Sequence, residues 1–271
     1  MESRTLRAPV FAGRFYPGSA GELRATVDEL LALGARDLSV DPPKAVVAPH
    51  AGYVYSGPIA GTAFAALQRG HAELRRVVLL GPSHRFALRS VALPSAQAFL
   101  TPLGPVEVDL EAAERLRERG LATIMDGAHA REHSLEVELP FLQVIAPKAT
   151  VLPLVVGEAR PAEVAAILDE VWGGDETAIV VSSDLSHYLP YANARAMDAE
   201  TARAIERLEP VDPMRACGAR PLAGLLRSAR ERGLRASTLD LRTSGDTVPG
   251  GRAEVVGYGA FAFYPHSGGD A

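Results

Sequence analysis

Lys44-Ala45-Val46-Val47-Ala48-Pro49-His50-Ala51-Gly52-Tyr53, continued by Val54-Tyr55-Ser56-Gly57, is the stretch whose reading decides the fold. A short apolar run with no polar alternation predicts a strand buried on both faces, as in parallel sheets covered by helices. This run ends in a histidine. Beyond it, residues 57–69 are rich in small side chains and predict a helix that can approach a sheet closely. The same device recurs twice. Residues 76–81 (RVVLLG) run into Pro82-Ser83-His84, and the aliphatic segment 178–182 runs into Ser183-Asp184-Leu185-Ser186-His187.

Working outward, Ser19 and Glu22 have capping-box spacing and predict a helix to about residue 33. A strand at 106–110 runs into a helix at 110–119. Residues 132–145 have helical periodicity, with Pro140 expected to kink them. A strand at 150–156, a helix at 161–171 and the strand at 178–182 follow, then helices at 192–208 and 221–232. Two C-terminal strands, 235–242 and 253–264, flank a Gly- and Pro-rich turn and are expected to be antiparallel. This alternation predicts a single α/β domain over residues 1–271, with a mostly parallel central sheet and helices on both faces.

Composition narrows the function classes. The chain has 271 residues, 47% hydrophobic and 23% charged, so a packed core is expected. A net charge of −5, from 33 acidic and 28 basic residues, carries no nucleic-acid footprint. The longest aliphatic runs are too short to span a membrane, and no signal-peptide pattern opens the chain, so the expected compartment is the cytoplasm. One cysteine, Cys217, excludes an internal disulfide framework and zinc sites built on CxxC pairs. On its own that thiol reads first as a small buried hydrophobe and only second as a functional group.

The strand-end residues carry the chemistry. In an open parallel sheet the carboxyl ends of strands share one edge, where ligands bind. Neighbouring strands lie about 4.8 Å apart, so His50, His84, Asp184 and His187 can surround one small site. Imidazoles beside a carboxylate suit a divalent metal, with iron, copper and zinc all compatible, or general acid–base work. Glu132 and His133 open a helical segment and serve either as a cap or in the pocket. Tyr53 flanks His50 and lines the pocket or packs on the core. His71, His129 and His266 read as solvated. Ser182, Ser183 and Ser186 lie near His187 but lack the GxSxG elbow of a serine hydrolase, and neither a P-loop nor a GxGxxG fingerprint is present.

Ordered motifs along almost the whole chain then resemble a known family. They are Ala12-Gly13-Arg14-Phe15-Tyr16-Pro17, the His50 and His84 motifs, Glu132-His133-Ser134-Leu135-Glu136 through Leu139-Pro140-Phe141, the Ser182–His187 segment, Cys217-Gly218 before Arg220-Pro221, and Gly257-Tyr258-Gly259. Together they resemble the Memo-like family, whose prokaryotic members are called AmmeMemoRadiSam system protein B. The resemblance implies a fold like that of LigB-like class III extradiol dioxygenases, which hold non-haem iron with two histidines and a glutamate. In the Memo-like pocket a cysteine stands where those enzymes have the carboxylate. Carried over residue by residue, it implies His50, His84 and Cys217 as metal ligands, with Asp184 and His187 as the acid–base or supporting pair. Fe(II) is the first expectation, with copper or zinc as alternatives.

The thiolate departs from the dioxygenase pattern and softens the site. The implied function is a metal-dependent oxidoreductase of unidentified small-molecule or peptide substrate. The alternatives are a peptide- or protein-binding module on the same fold and a zinc hydrolase. The family name further implies functional association with AMMECR1-like and radical SAM proteins.

Overall fold

A computed structural model describes residues 4–36, 38, 41–70 and 73–265. His71 and His266 lie outside the described residues. In chain order the elements are β1 (Leu6–Arg7), α1 (Ala20–Gly34), β2 (Ala45–Ala48), α2 (Tyr53–Gly70) and β3 (Arg76–Pro82). Then come β4 (Val91–Leu93), β5 (Ala98–Thr101), β6 (Gly104–Glu107), α3 (Leu110–Glu118), β7 (Thr123–Ile124) and α4 (Asp126–Ala130). A 3₁₀ turn (Glu136–Glu138) leads into α5 (Leu139–Ile145), β8 (Thr150–Val156), α6 (Pro161–Val171) and β9 (Thr177–Ser182). The chain continues through α7 (Tyr191–Glu206), α8 (Ala219–Glu231), β10 (Arg235–Thr243), α9 (Ser244–Thr247) and β11 (Gly257–Tyr264).

The main sheet has eight strands in the order β10-β11-β2-β9-β3-β8-β4-β7. Its centre, β2-β9-β3-β8, is parallel throughout. Antiparallel pairs β10-β11, β11-β2 and β4-β8 flank that centre, so the sheet is mixed around a parallel core. Alternate residues feed two cores. Val46, Ala48, Val77, Leu79 and Val180 pack with α1, α2 and α5 on one face. Ala45, Val47, Val78, Leu80, Ile179 and Val181 pack with α3, α6, α7 and α8 on the other. This is the expected α/β layering, with the interiors of the central strands apolar on both faces because both are covered, and polar residues confined to their ends. No helix among the described residues is long and apolar enough to cross a membrane.

Several local expectations are corrected. α2 starts at Tyr53 rather than 57, because Tyr55 and Ser56 donate to the Gly52 carbonyl and Tyr53 N donates to the Phe15 carbonyl. Pro140 starts α5 instead of kinking a longer helix, since the first turn requires no donor from it. β11 begins at Gly257 rather than 253, and Val255 instead bridges to Leu189. The C-terminal turn contains α9, where Asp246 Oδ2 accepts from both Thr243 N and Thr243 Oγ1 at 2.9 Å. The strand expected at 106–110 is β6, which ends at Glu107 and belongs to a small second sheet, β1-β5-β6, whereas β1, β5 and the edge strands β4 and β7 had no counterpart in the sequence reading. Each of these strands has two to four residues, too few for a hydrophobic period to show.

Candidate functional site

Strand order makes the site. β9 lies between β2 and β3, with Ala48 opposite Ser182 and Leu80 opposite Val181. The three chain segments that leave these strands therefore emerge side by side. His50 and His84 ring centroids are 5.2 Å apart, and His133 joins them at 5.3 Å from His50 and 4.6 Å from His84. A cavity of about 720 Å³ opens on this cluster, lined also by Asp184 and His187.

His50 is buried, and its backbone N–H donates to Asp184 Oδ1 at 2.8 Å. Its Nδ1 lies 2.6 Å from Ser182 Oγ and its Nε2 lies 3.3 Å from Cys217 Sγ. Burial, reinforced by the neighbouring His84, holds the His50 pKa well below the usual imidazole value, so the ring is neutral.

Cys217 arrives from the loop before α8. Its N–H donates to the Asp184 carbonyl at 3.2 Å, Asp184 N–H donates to Sγ at 3.3 Å, and Gly218 N–H donates to Ser183 Oγ at 2.9 Å. Glycine is required at 218 for this approach, since a Cβ there would lie 2.5 Å from Ser183 Cβ and 2.6 Å from the Ser182 carbonyl oxygen. Burial and the nearby Asp184 push the free thiol's pKa far up. Cys217 also lines a smaller cavity of about 410 Å³, together with Ser83, Phe86, Arg89 and Arg220.

Glu132 holds His84. Its Oε1 lies 2.8 Å from His84 Nδ1 and accepts from Ser134 N–H at 2.9 Å, while Oε2 accepts from His84 N–H at 2.7 Å. Burial opposes the charged carboxylate, but the hydrogen bonds and charge of His84 prevail and bring its pKa down to about 2. His133 Nδ1 lies 3.3 Å from the same Glu132 oxygen without a hydrogen bond. Burial, then His50 and His84, lower the His133 pKa to about 4.

His187 Nδ1 lies 2.8 Å from the Leu185 carbonyl oxygen, which can only accept. In the neutral ring Nδ1 therefore carries the proton and Nε2 is the free nitrogen. Its loop is pinned by Leu185 N–H to the Gly257 carbonyl and by Ser186 N–H to Asp198 Oδ1 at 3.0 Å. Among the described residues no hydrogen bond joins Asp184 to His187; Asp184 instead carries the His50 backbone. Burial pushes the Asp184 pKa up. Tyr53 stands off this cavity. Its hydroxyl donates to the Val137 carbonyl at 2.8 Å, and the residue lines a separate cleft beside Phe15 and Tyr16, leaving Tyr55 on the cavity wall.

His129 corrects an expectation of solvent exposure, being only 3% exposed. Its Nε2 lies 3.0 Å from the Ala92 carbonyl and its Nδ1 has no partner. Burial lowers its pKa to about 4. As pH falls below about 6.5 the unfolded chain binds a proton that the folded state refuses until about pH 4, so stability is lost across that window. Urea titrations should show wild type losing about 3 kcal/mol more than His129→Gln between pH 6.5 and 4. Parallel pH profiles would contradict this.

The cluster therefore joins His50, His84, His133 and Cys217, with Glu132, Asp184 and His187 around them. Glu138, Ser134 and Arg85 had no part in the sequence reading of the site, and Ser182 entered it only as a rejected nucleophile. Their one sequence signal was adjacency to the histidine motifs. Candidate ligand atoms of His50, His84 and Cys217 all lie within 4.8 Å of one another, and those of His84, Glu132 and His133 form a second such group.

Comparison with known proteins agrees with the motifs. The model of the Memo family, described as Memo-like protein, matches residues 7–262. A MEMO1 family protein of Aquifex aeolicus is 35% identical over 266 residues, covering 93% of this chain and 97% of its own. One from Methanococcoides burtonii is 37% identical, covering 94% of this chain and 98% of its own, and one from Aeropyrum pernix is 36% identical with the same coverage. Matched from β1 into β11 and aligned with these relatives over nearly their full lengths, the chain belongs to the Memo-like family.

Proposed function

We propose that the chain is a metal-dependent oxidoreductase acting on a small organic substrate, with Fe(II) as the first candidate metal and copper the second. The observation that carries this reading is the gathering of His50, His84 and Cys217 ligand atoms within 4.8 Å of one another. The donor set fits a metal. His50 is held neutral, and Glu132 occupies His84 Nδ1, which leaves Nε2 of that ring as its ligand atom. The Cys217 thiol, costly to ionise alone in this buried position, gains a counter-charge when a cation displaces its proton. The second ligand grouping is disfavoured because Glu132 already carries three hydrogen bonds that set His84 and Ser134.

A bound iron or copper would supply Lewis acidity and electron exchange beside the cavity. The chain's own residues supply the rest. His187 lines the cavity with Nδ1 held by the Leu185 carbonyl, so that in the neutral ring Nε2 can accept or return a substrate proton there. Asp184 fixes the backbone of His50. Arg85 stands on the cavity wall, where its guanidinium can hold an anionic substrate group.

Anaerobic purification followed by metal analysis and electron paramagnetic resonance tests the reading. Stoichiometric iron or copper with a redox-active signal is expected. Stoichiometric zinc with no such signal would replace it with a zinc hydrolase, and no bound metal after reconstitution would end it. Replacing Glu132 by alanine frees the His84 ring and should weaken metal affinity roughly 10–100-fold by competitive chelator titration. An unchanged affinity would remove Glu132 from this role.

A further inference from the structure

The cavity over the histidine cluster carries opposite charges on walls supplied by different strands. In sheet order the strands beneath it are β11, β2, β9 and β3. Because β11 is antiparallel to β2, the segment entering β11 lies at the edge where the other three strands end. Glu254 comes from that entering segment and Arg85 from the segment leaving β3, and both line the cavity. The strands that deliver them are three spacings apart, about 14 Å. Both side chains are exposed, and among the described residues neither has an ion-pair partner.

The Glu254 end is walled by Tyr55, Tyr188 and Tyr258. Tyr258 lies on β11 itself, and Tyr55 is in the first turn of α2, which packs against β11. Val255 N–H donates to the Leu189 carbonyl at 2.9 Å, a bridge that brings Tyr188 beside residues 254–256. Burial pushes the Tyr258 pKa up, and Asp184, Tyr55 and Tyr188 act on it in the same direction. The three phenols therefore share one neighbourhood, and Tyr258 keeps its proton.

Two features of this end are costly unless a ligand uses them. Tyr258 is 2% exposed and belongs to the apolar core, yet its hydroxyl has no hydrogen-bond partner among the described residues. The hydroxyls of Tyr16, Tyr53 and Tyr191, by contrast, each donate to a protein oxygen. Tyr188 has φ +55°, the left-handed region that strains a bulky side chain. It is also 70% exposed, so its own packing does not offset that strain.

The chemistry of the Glu254 end selects a cation. Aromatic faces carry negative potential, phenol oxygens accept hydrogen bonds, and the carboxylate adds a full charge. Arg252, its near neighbour in the chain, is engaged elsewhere, with its guanidinium 4.3 Å from the centre of the Tyr191 ring. At the other end Arg85 offers a planar guanidinium, which matches a carboxylate.

We propose that the substrate is zwitterionic, with an organic ammonium seated among Tyr55, Tyr188, Tyr258 and Glu254 and a carboxylate held by Arg85. The chain linking the two charges crosses the histidine cluster. Its being the substrate rests on the reading of this cavity as an oxidoreductase site; the dipolar binding itself requires no metal.

Calorimetric titration of metal-free protein with three probes of equal chain length, ω-aminooctanoate, octylamine and octanoate, tests this. Wild type should bind the zwitterion at least roughly 10-fold more tightly than either parent. Glu254→Gln should bring ω-aminooctanoate down to the level of octanoate and leave octanoate unchanged. Arg85→Gln should bring it down to the level of octylamine and leave octylamine unchanged. Tyr188→Gly suits the left-handed backbone, so Tm should stay near wild type while both ammonium probes bind roughly 3–10-fold more weakly.

A zwitterion bound no more tightly than its parents, including no binding of any probe, overturns the proposal. So do charge variants that weaken all three probes alike, or a Tyr188→Gly protein that binds octylamine as wild type does. If zwitterion binding follows the charges while iron and copper fail to load, the dipolar site stands and the oxidoreductase reading falls. Iron or copper binding with no preference for the zwitterion gives the converse.

Discussion

A His50→Ala protein is expected to bind Fe(II) or Co(II) at least ~100-fold more weakly than wild type, beyond the range typical for losing a supporting hydrogen bond. His50 lies at the centre of the cluster, with Nε2 3.3 Å from Cys217 Sγ and its ring 5.2 Å from His84. Its removal leaves His84 and the thiol without a third donor between them. Cys217→Ser makes the complementary comparison. A hydroxyl is a harder and weaker ligand than a thiolate, so affinity for Cu(I) should fall more than affinity for Fe(II). The sulfur-to-cobalt charge-transfer absorption of the Co(II) form should also disappear. Equal Co(II) spectra for wild type and Cys217→Ser would show that the thiol does not reach the metal, and equal affinities for wild type and His50→Ala would dispose of the site.

The second large effect concerns the frame that holds Glu132 and His133. Arg7, on β1, donates from Nη1 to Glu136 Oε2 at 2.6 Å, from Nε to the His129 carbonyl and from Nη2 to the Glu132 carbonyl, both at 2.8 Å. Glu136 also accepts from Phe11 N–H at 2.7 Å, Tyr16 Oη–H at 2.6 Å and Val10 N–H at 3.1 Å. The pair is almost wholly buried, with side-chain exposures of 8% and 0%. Removing one partner strands the other's charge and costs about 3–5 kcal/mol. Glu136→Ala should therefore lower Tm by roughly 10 °C in a chain of this size. An Arg7→Met/Glu136→Leu double variant leaves no stranded charge and should be more stable than either single alanine variant. A single variant within 1 kcal/mol of wild type would show that the network contributes little.

The histidine-bearing segment 132–136 is thus anchored by a residue more than a hundred positions earlier, a link with no local signature. Other elements were far more legible. β8 and α6 were read with their observed bounds. The first is a continuous apolar run, and the second begins with Pro161, whose neighbour Arg160 N–H is capped by Glu163 at 2.7 Å. Both signals act over a few residues and survive without tertiary context. α2 was read late because its start depends on Phe15, a residue far away in sequence whose carbonyl receives Tyr53 N–H.

The candidate site divides along the same line. His50, His84, Asp184 and His187 stood out because each follows an apolar strand, and the motif resemblance added Cys217. Glu138 did not stand out. In the sequence it is one acidic residue in a helical pattern, indistinguishable from a solvated one. Its burial arises only where the turn at 136–138 presses against the end of β9 and places it 2.9 Å from Ser182.

By itself the sequence determined the class of strand, the buried parallel core and the polar residues at its carboxyl ends, because apolar runs and their interruptions are local facts. The tertiary structure decided that β9 inserts between β2 and β3, that Cys217 returns 33 residues after Asp184 to lie 3.3 Å from His50, and that Glu138 is shut away from water. Strand order and burial are set by packing across the whole chain, and the protonation states of His50 and Cys217 follow from that burial.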